Sequence, residues 1–281
     1  MSHDRESMQV DWQGPDAVLQ LLSRSGWLRS IRWVPEVDST NRLAKSLADQ
    51  ADQPTPMLIV AKSQTQGRGR LGRSWFSDSG TLTFSLMLAA PQLAVDRTRW
   101  PQLALVAGLA VCDVVGEVVD PVAVQLKWPN DVYLAGGKVA GVLIETAGRD
   151  NDHVVIGIGL NVATDLSKAP PEVQQRARSI RDYADHRVET FAVLPEIIDR
   201  IAVRIADWRT DSAAIADDFS KVCLLRGRRI EINTAGQTLQ GVCLGIDGDG
   251  ALRVRRDEGE VVEVRSGEVV QWSDEVEVHD G

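Results

Sequence analysis

The chain has 281 residues, 43% hydrophobic and 25% charged, which allows a packed core in one large domain with a smaller one beside it. A formal net charge of −9 excludes a generally basic nucleic-acid binder, because sequence-independent contact with phosphates needs a basic footprint. Three widely spaced cysteines, Cys112, Cys223 and Cys243, exclude a disulfide framework and a thiolate metal pattern, and point to a reducing, cytoplasmic setting.

In chain order, residues 1–28 hold one short helical stretch at 17–22, too little for a winged helix-turn-helix. Residues 31–37 read as a strand. Asp38 and Ser39 are N-cap residue types for a helix reaching Ala48, with Leu43 and Leu47 stacked four apart. A short apolar strand at 56–61 runs into Gln-Thr-Gln-Gly-Arg-Gly-Arg-Leu-Gly-Arg-Ser-Trp at 64–75. That segment is too glycine-rich for a helix or a regular strand, so it is a loop loaded with guanidinium groups. Residues 81–88 alternate, with Leu82, Phe84, Leu86 and Leu88 on one face. Residues 100–118 read as a helix; Asp113 and Glu117 interrupt its apolar run, which argues for a buried helix and against a membrane span.

A strand at 122–126 delivers Lys127 at its end, followed by Trp-Pro-Asn-Asp at 128–131. Strands at 138–146 and 153–162 form a hairpin. Gly157 and Gly159 weaken the second strand unless something flat must lie against its backbone. A helix at 190–208 carries Leu194, Ile197, Ile201, Ile205 and Trp208 on one stripe, and 211–221 reads as another helix. After Leu224 the texture changes to β-rich runs at 229–232, 239–246, 252–255 and 261–265. Asp247-Gly248 and Asp249-Gly250 mark a tight hairpin between two of them. The expected fold is α/β: a mixed sheet backed by helices, with a small C-terminal β-barrel. The expected division is a 1–28 extension, a 29–222 catalytic domain, a 223–272 barrel and a 273–281 tail.

Two segments carry the chemistry. In the loop, Arg68, Arg70 and Arg73 alternate with Gly67, Gly69 and Gly72. Arginine forks match carboxylate and phosphate oxygens, and glycines let backbone N–H groups approach the same anion. By composition alone such a loop is equally a disordered linker or a nucleic-acid contact. Lys127 is either a snorkelling surface lysine or a partly buried point charge able to neutralise an anion. Ser39, Thr40 and Asn41 are explained by helix capping, and Asn130 and Asp131 by turn formation. The four histidines are scattered, and neither a Ser–His–Asp pattern nor a nucleotide-binding glycine motif is present. The chemistry is therefore charge stabilisation and positioning, without a covalent enzyme intermediate.

On these motifs the chain resembles the biotin protein ligases. The matching blocks are Asp-Ser-Thr-Asn at 38–41, the Arg/Gly loop through Trp75, Lys-Trp-Pro-Asn-Asp at 127–131, Gly-Lys-Val-Ala-Gly-Val-Leu-Ile-Glu at 137–145 and Gly-Ile-Gly-Leu-Asn-Val at 157–162. They occur in the family's order; Gln66 departs mildly, where a small residue is usual. The resemblance implies a class II synthetase-like catalytic domain and an SH3-like C-terminal domain, without the N-terminal DNA-binding domain that some members carry. It implies that biotin and ATP give biotinyl-5′-AMP, with Mg²⁺ and no permanently bound cofactor. Transfer then goes to a lysine of a biotin carboxyl carrier protein or domain. DNA and membranes are not expected partners, and the chain is expected to be a monomer or homodimer.

Carried over residue by residue, the resemblance makes Lys127 and Arg70 catalytic. Ser39, Thr40, Asn41, Gln64, Arg68, Gly69, Arg70 and Lys127 would hold biotin. Arg68, Arg70, Arg73, Trp75, Asn130, Lys138 and Asn161 would hold ATP or the adenylate, with Asp131 a candidate for the metal carried by ATP. Two readings stay open for Asn161: adenine contact or a β-bulge. A lipoate or octanoyl protein ligase, a biotin-sensing regulator and a non-catalytic binding module are the alternative functions.

Overall fold

The computed structural model describes residues 8–50, 52–211, 213–234 and 236–276. Its N-terminal part runs β1 (Gln9–Asp11), α1 (Asp16–Arg24), β2 (Ser30–Val34), α2 (Thr40–Ala48), β3 (Met57–Ala61) and β4 (Thr81–Ala89). The chain continues through α3 (Ala90–Leu93), α4 (Leu103–Val119), β5 (Val124–Lys127), β6 (Asp131–Leu134), β7 (Gly137–Ala147) and β8 (His153–Asn161). Helices α5 (Pro171–Arg176), α6 (Leu194–Thr210) and α7 (Ala213–Val222) follow. The C-terminal strands are β9 (Arg228–Thr234), β10 (Gln237–Ile246), β11 (Leu252–Arg255), β12 (Val261–Val264) and β13 (Glu268–Val276).

The first eight strands form one mixed sheet in the order β1-β2-β3-β4-β8-β7-β6-β5. Strands β1, β2 and β3 pair in parallel, and the remaining pairs are antiparallel. Alternation decides what each face buries. Leu82, Phe84, Leu86 and Leu88 join the main core beneath α4, α6 and α7, whereas Ala44 and Leu47 of α2 pack on Ile59, Met87 and Val155 on the other face. Helix α4 is apolar nearly all round and almost wholly buried, as expected of a core helix. Asp113, which breaks its apolar run, pairs with Arg204 of α6 at 2.7 Å.

The five C-terminal strands form an antiparallel sheet in the order β12-β11-β10-β9-β13. The expected hairpin joins β10 to β11, with Asp247 Oδ1 accepting hydrogen bonds from the N–H groups of Asp249 and Ala251. This turn docks on the large sheet's helices and loops: Gln102 donates to the Asp249 carbonyl at 2.8 Å, and Trp128 Nε1 to that of Gly250 at 3.1 Å.

Several elements were not evident from sequence. Segment 9–24, read as part of an extension, supplies an edge strand and a helix whose Val18 and Leu22 enter the main core. Strand β6 is hidden because it begins inside the Asn-Asp dipeptide that reads as a turn. Strand β13 runs on to Val276, into the stretch set apart as a tail. Helix α6 begins at Leu194, later than expected; Pro195 has no N–H to give and belongs in a first turn.

Candidate active site

The site is a trough across the middle of the large sheet, on the face that carries α2. Register places Ser85, Gly157 and Leu143 on one rung of β4, β8 and β7, and Thr83, Gly159 and Gly141 on the next. The glycines make the trough because the space above them is already taken. A Cβ on Gly157 would collide with the Asn41 side chain, and one on Gly159 would lie 2.5 Å from the Trp75 indole. Over Gly159 the flat object is thus the loop's own tryptophan, seated beneath Lys138, whose Nζ lies 5.5 Å from the ring centroid, whereas Gly157 faces Asn41.

One end of the trough is a neutral hydrogen-bonding pocket. Ser39 starts α2 with an extended backbone but makes no side-chain cap, which corrects the capping explanation. Instead Gln64 reaches across, its Oε1 accepting from Thr40 N at 2.7 Å and from Thr40 Oγ1 at 3.1 Å. The Ser85 hydroxyl lies 2.8 Å from Thr40 Oγ1 and 2.7 Å from Asn41 Oδ1. Asn41 Nδ2 donates to Glu145 Oε2 at 3.0 Å, and Lys45 and Arg68 donate to Oε1 at 3.1 and 3.3 Å. Burial pushes the Glu145 carboxyl up, but hydrogen bonds from Asn41 and Lys45 outweigh it and hold the group below the usual range. Sequence reasoning assigned no role to Ser85 or Glu145. The signal for Ser85 was available: Thr81, Thr83 and Ser85 are the polar alternate of the apolar stripe in β4.

The other end is cationic. Lys127 is 7% exposed, donates to the Val269 carbonyl at 2.8 Å and lies 4.8 Å from the Trp272 ring centroid. Burial lowers its pKa, Asp131 opposing and Lys138 adding to the shift. Arg70 donates to Asn130 Oδ1 at 3.1 Å and to the Gly267 carbonyl at 3.3 Å, and burial lowers its pKa too. Arg73 donates to Glu268 at 2.6 Å. Lys138 Nζ lies 2.6 Å from Asp131 Oδ1, at an angle that leaves this buried oxygen without a hydrogen bond. Residues Gly267 to Val269, where the last C-terminal strand begins, therefore close this end.

The loop itself is folded: Gly69 N donates to Arg73 O at 2.7 Å and Trp75 N to Gly67 O at 2.8 Å, around a single 3-10 turn at Arg70–Gly72. Ser39, Thr40, Asn41, Gln64, Arg68, Gly69, Arg70, Arg73, Trp75, Lys127, Asn130, Asp131 and Lys138 all line the trough. Asn161 does not. It is 3% exposed, its Nδ2 donates to the Arg178 carbonyl and its Oδ1 accepts from Thr164, so it ties the end of β8 to the following loop. Trp128 is a core and interdomain residue. Among the described residues no three His, Cys, Asp or Glu side chains are grouped to hold a metal. Asp131 offers a single carboxylate, and its Oδ1 faces Lys138.

A hydrogen-bonding pocket joined to a cluster of cations, of which Lys127 is buried, on a mixed sheet with a β domain over one end, is an arrangement suited to holding an anionic ligand. The sequence pattern of the Biotin/lipoate A/B protein ligase family matches residues 33–161, and that of the Biotin protein ligase C terminal domain matches 226–272. The biotin--[acetyl-CoA-carboxylase] ligase of Mycobacterium tuberculosis is 34% identical over 251 residues, 88% of this chain and 90% of that protein. The bifunctional ligase/repressor BirA of Bacillus subtilis is 31% identical over 226 residues, 79% of this chain and 68% of that protein. The biotin protein ligase of Aquifex aeolicus, solved with biotin and ATP, superposes with a TM-score of 0.73 at 30% identity, covering 86% of this chain and 98% of that one. The chain belongs to the biotin protein ligase family.

Proposed function

We infer that the chain activates biotin with ATP and transfers it to a lysine of a biotin carboxyl carrier protein or domain. The observation that carries this reading is the joining of two unlike halves in one trough. Thr40, Asn41, Gln64 and Ser85 offer donors and acceptors suited to a ureido ring, and Lys127, Arg70, Arg73 and Lys138 offer positive charge where two anions must meet. In the first step a biotin carboxylate oxygen attacks the α-phosphorus of ATP, the bond to the β-phosphate oxygen breaks, and pyrophosphate leaves. Lys127 and Arg70 offset the repulsion between carboxylate and phosphate and hold the reacting atoms in line. Mg²⁺ would enter with ATP as part of that substrate, and Asp131 is the carboxylate that could help hold it.

In the second step the carrier's lysine nitrogen attacks the anhydride carbonyl, the bond to phosphate breaks, AMP leaves and the amine's proton passes to solvent. The loop at 64–75 keeps water from the anhydride until then. Arg68 and Arg73 pair with Glu145 and Glu268, which hold the two guanidinium groups beside the trough. ATP–pyrophosphate exchange tests the reading: it is expected with biotin and not with lipoate or octanoate, and equal exchange with lipoate would overturn it.

A further inference from the structure

The crown of the arginine loop displays a side chain that the adenylation chemistry does not use. Leu71 is 74% exposed, the most of any large apolar side chain among the described residues. Its backbone is left-handed, φ 55° and ψ 33°, a conformation that glycine or asparagine adopts at lower cost than leucine. The next residue, Gly72, is also left-handed, and a Cβ built on it meets no atom within 4 Å, so the crown faces open space. The residues on either side are fastened: Arg70 to Asn130 and Gly267, Arg73 to Glu268. A lone exposed leucine needs no explanation on a protein surface. One held outward in a disfavoured backbone, on an anchored frame at the rim of the reactive trough, does.

We propose that Leu71 is an acceptor-recognition residue, which buries against an apolar side chain of the incoming protein beside the lysine that receives biotin. The inference rests on the transfer reaction proposed above. That reaction brings a folded protein to the mouth of the trough, because its amine must reach an anhydride sealed behind the loop. The loop's arginines pair within the enzyme, Arg68 with Glu145, Arg70 with Asn130 and Arg73 with Glu268, and Leu71 is the loop's exposed apolar group, free to meet that surface.

The test uses the full chain and a biotin carboxyl carrier domain from a biotin-dependent carboxylase. Leu71→Asn keeps a residue at ease in the left-handed backbone and removes the apolar contact; Leu71→Met keeps the contact. For Leu71→Asn the KM for carrier is expected to rise about tenfold or more, the size of effect seen for a buried interface anchor, with kcat within about twofold. Biotin-dependent pyrophosphate exchange and trapping of the adenylate by hydroxylamine, a small acceptor that needs no docking, are expected to stay at wild-type level. Leu71→Met restores the carrier KM. An unchanged KM in Leu71→Asn would overturn the proposal, and so would parallel losses of exchange and hydroxylamine trapping, which mark a merely structural role. Absence of biotin-dependent exchange in the unmutated chain would instead overturn the reading on which the proposal rests.

Discussion

Replacing Lys127 by glutamine is the most direct test of the cationic end. The side chain is 7% exposed, and its ammonium is held between the Val269 carbonyl and the Trp272 ring. A unit charge about 4 Å from a phosphate or carboxylate oxygen is worth about 4 kcal/mol at the effective dielectric of such a place. Glutamine can still donate a neutral hydrogen bond, so the loss of transition-state stabilisation is expected at about 2–4 kcal/mol, or about 30- to 1000-fold in pyrophosphate exchange. Folding is expected to survive. Burial holds the Lys127 pKa below its ordinary value, so below the folded-state pKa the ammonium disfavours the native state. Stability recovers as pH rises from the folded to the unfolded pKa. Lys127→Gln is therefore expected to melt no lower than wild type at neutral pH, with any advantage shrinking as the solution becomes alkaline. Wild-type exchange should fall through that same lowered pKa, a limb the variant lacks. A well-folded Lys127→Gln with near wild-type exchange would refute the reasoning.

Glu145→Gln removes the carboxylate that holds Asn41, Lys45 and Arg68, at an expected cost of about 1–2 kcal/mol in thermal unfolding, since the group is only partly shielded. Because the folded-state pKa of Glu145 is depressed, this difference is present above the ordinary glutamate range and disappears as pH falls through the folded value; a difference unchanged in acid would contradict it. Gly159→Ala places a Cβ 2.5 Å from the Trp75 indole and is expected to unseat the ring at about 1–3 kcal/mol, raising protease cleavage at residues 68–73 and slowing exchange; wild-type behaviour in both would show the seat to be dispensable. Arg70→Gly removes the bonds to Asn130 and Gly267 and is expected to shorten the half-life of bound adenylate and label nearby lysines indiscriminately; wild-type retention would show that the loop is not the lid.

Short-range chemistry was legible in the amino-acid order. Glycine density at 64–75 required a loop, alternation in β4 required a strand with one buried face, and apolar continuity made α4 a core helix. The motif residues that converge on the trough, from Ser39 to Lys138, were identifiable through the resemblance to the biotin protein ligases; residue type alone left capping, turn and surface readings open. What the chain order could not disclose was which distant groups complete them. Glu145 stands 104 residues from Asn41 and Val269 stands 142 from Lys127. Such pairs come together only through sheet register and the docking of the second domain. For the same reason Asn161, equally suited by type, is turned away to Arg178, and Ser39, a cap residue by sequence, leaves the start of α2 to Gln64. Side-chain type sets what a group can bond; the tertiary fold decides which partner reaches it first, because most buried polar groups are satisfied by whatever the packing brings within hydrogen-bonding distance.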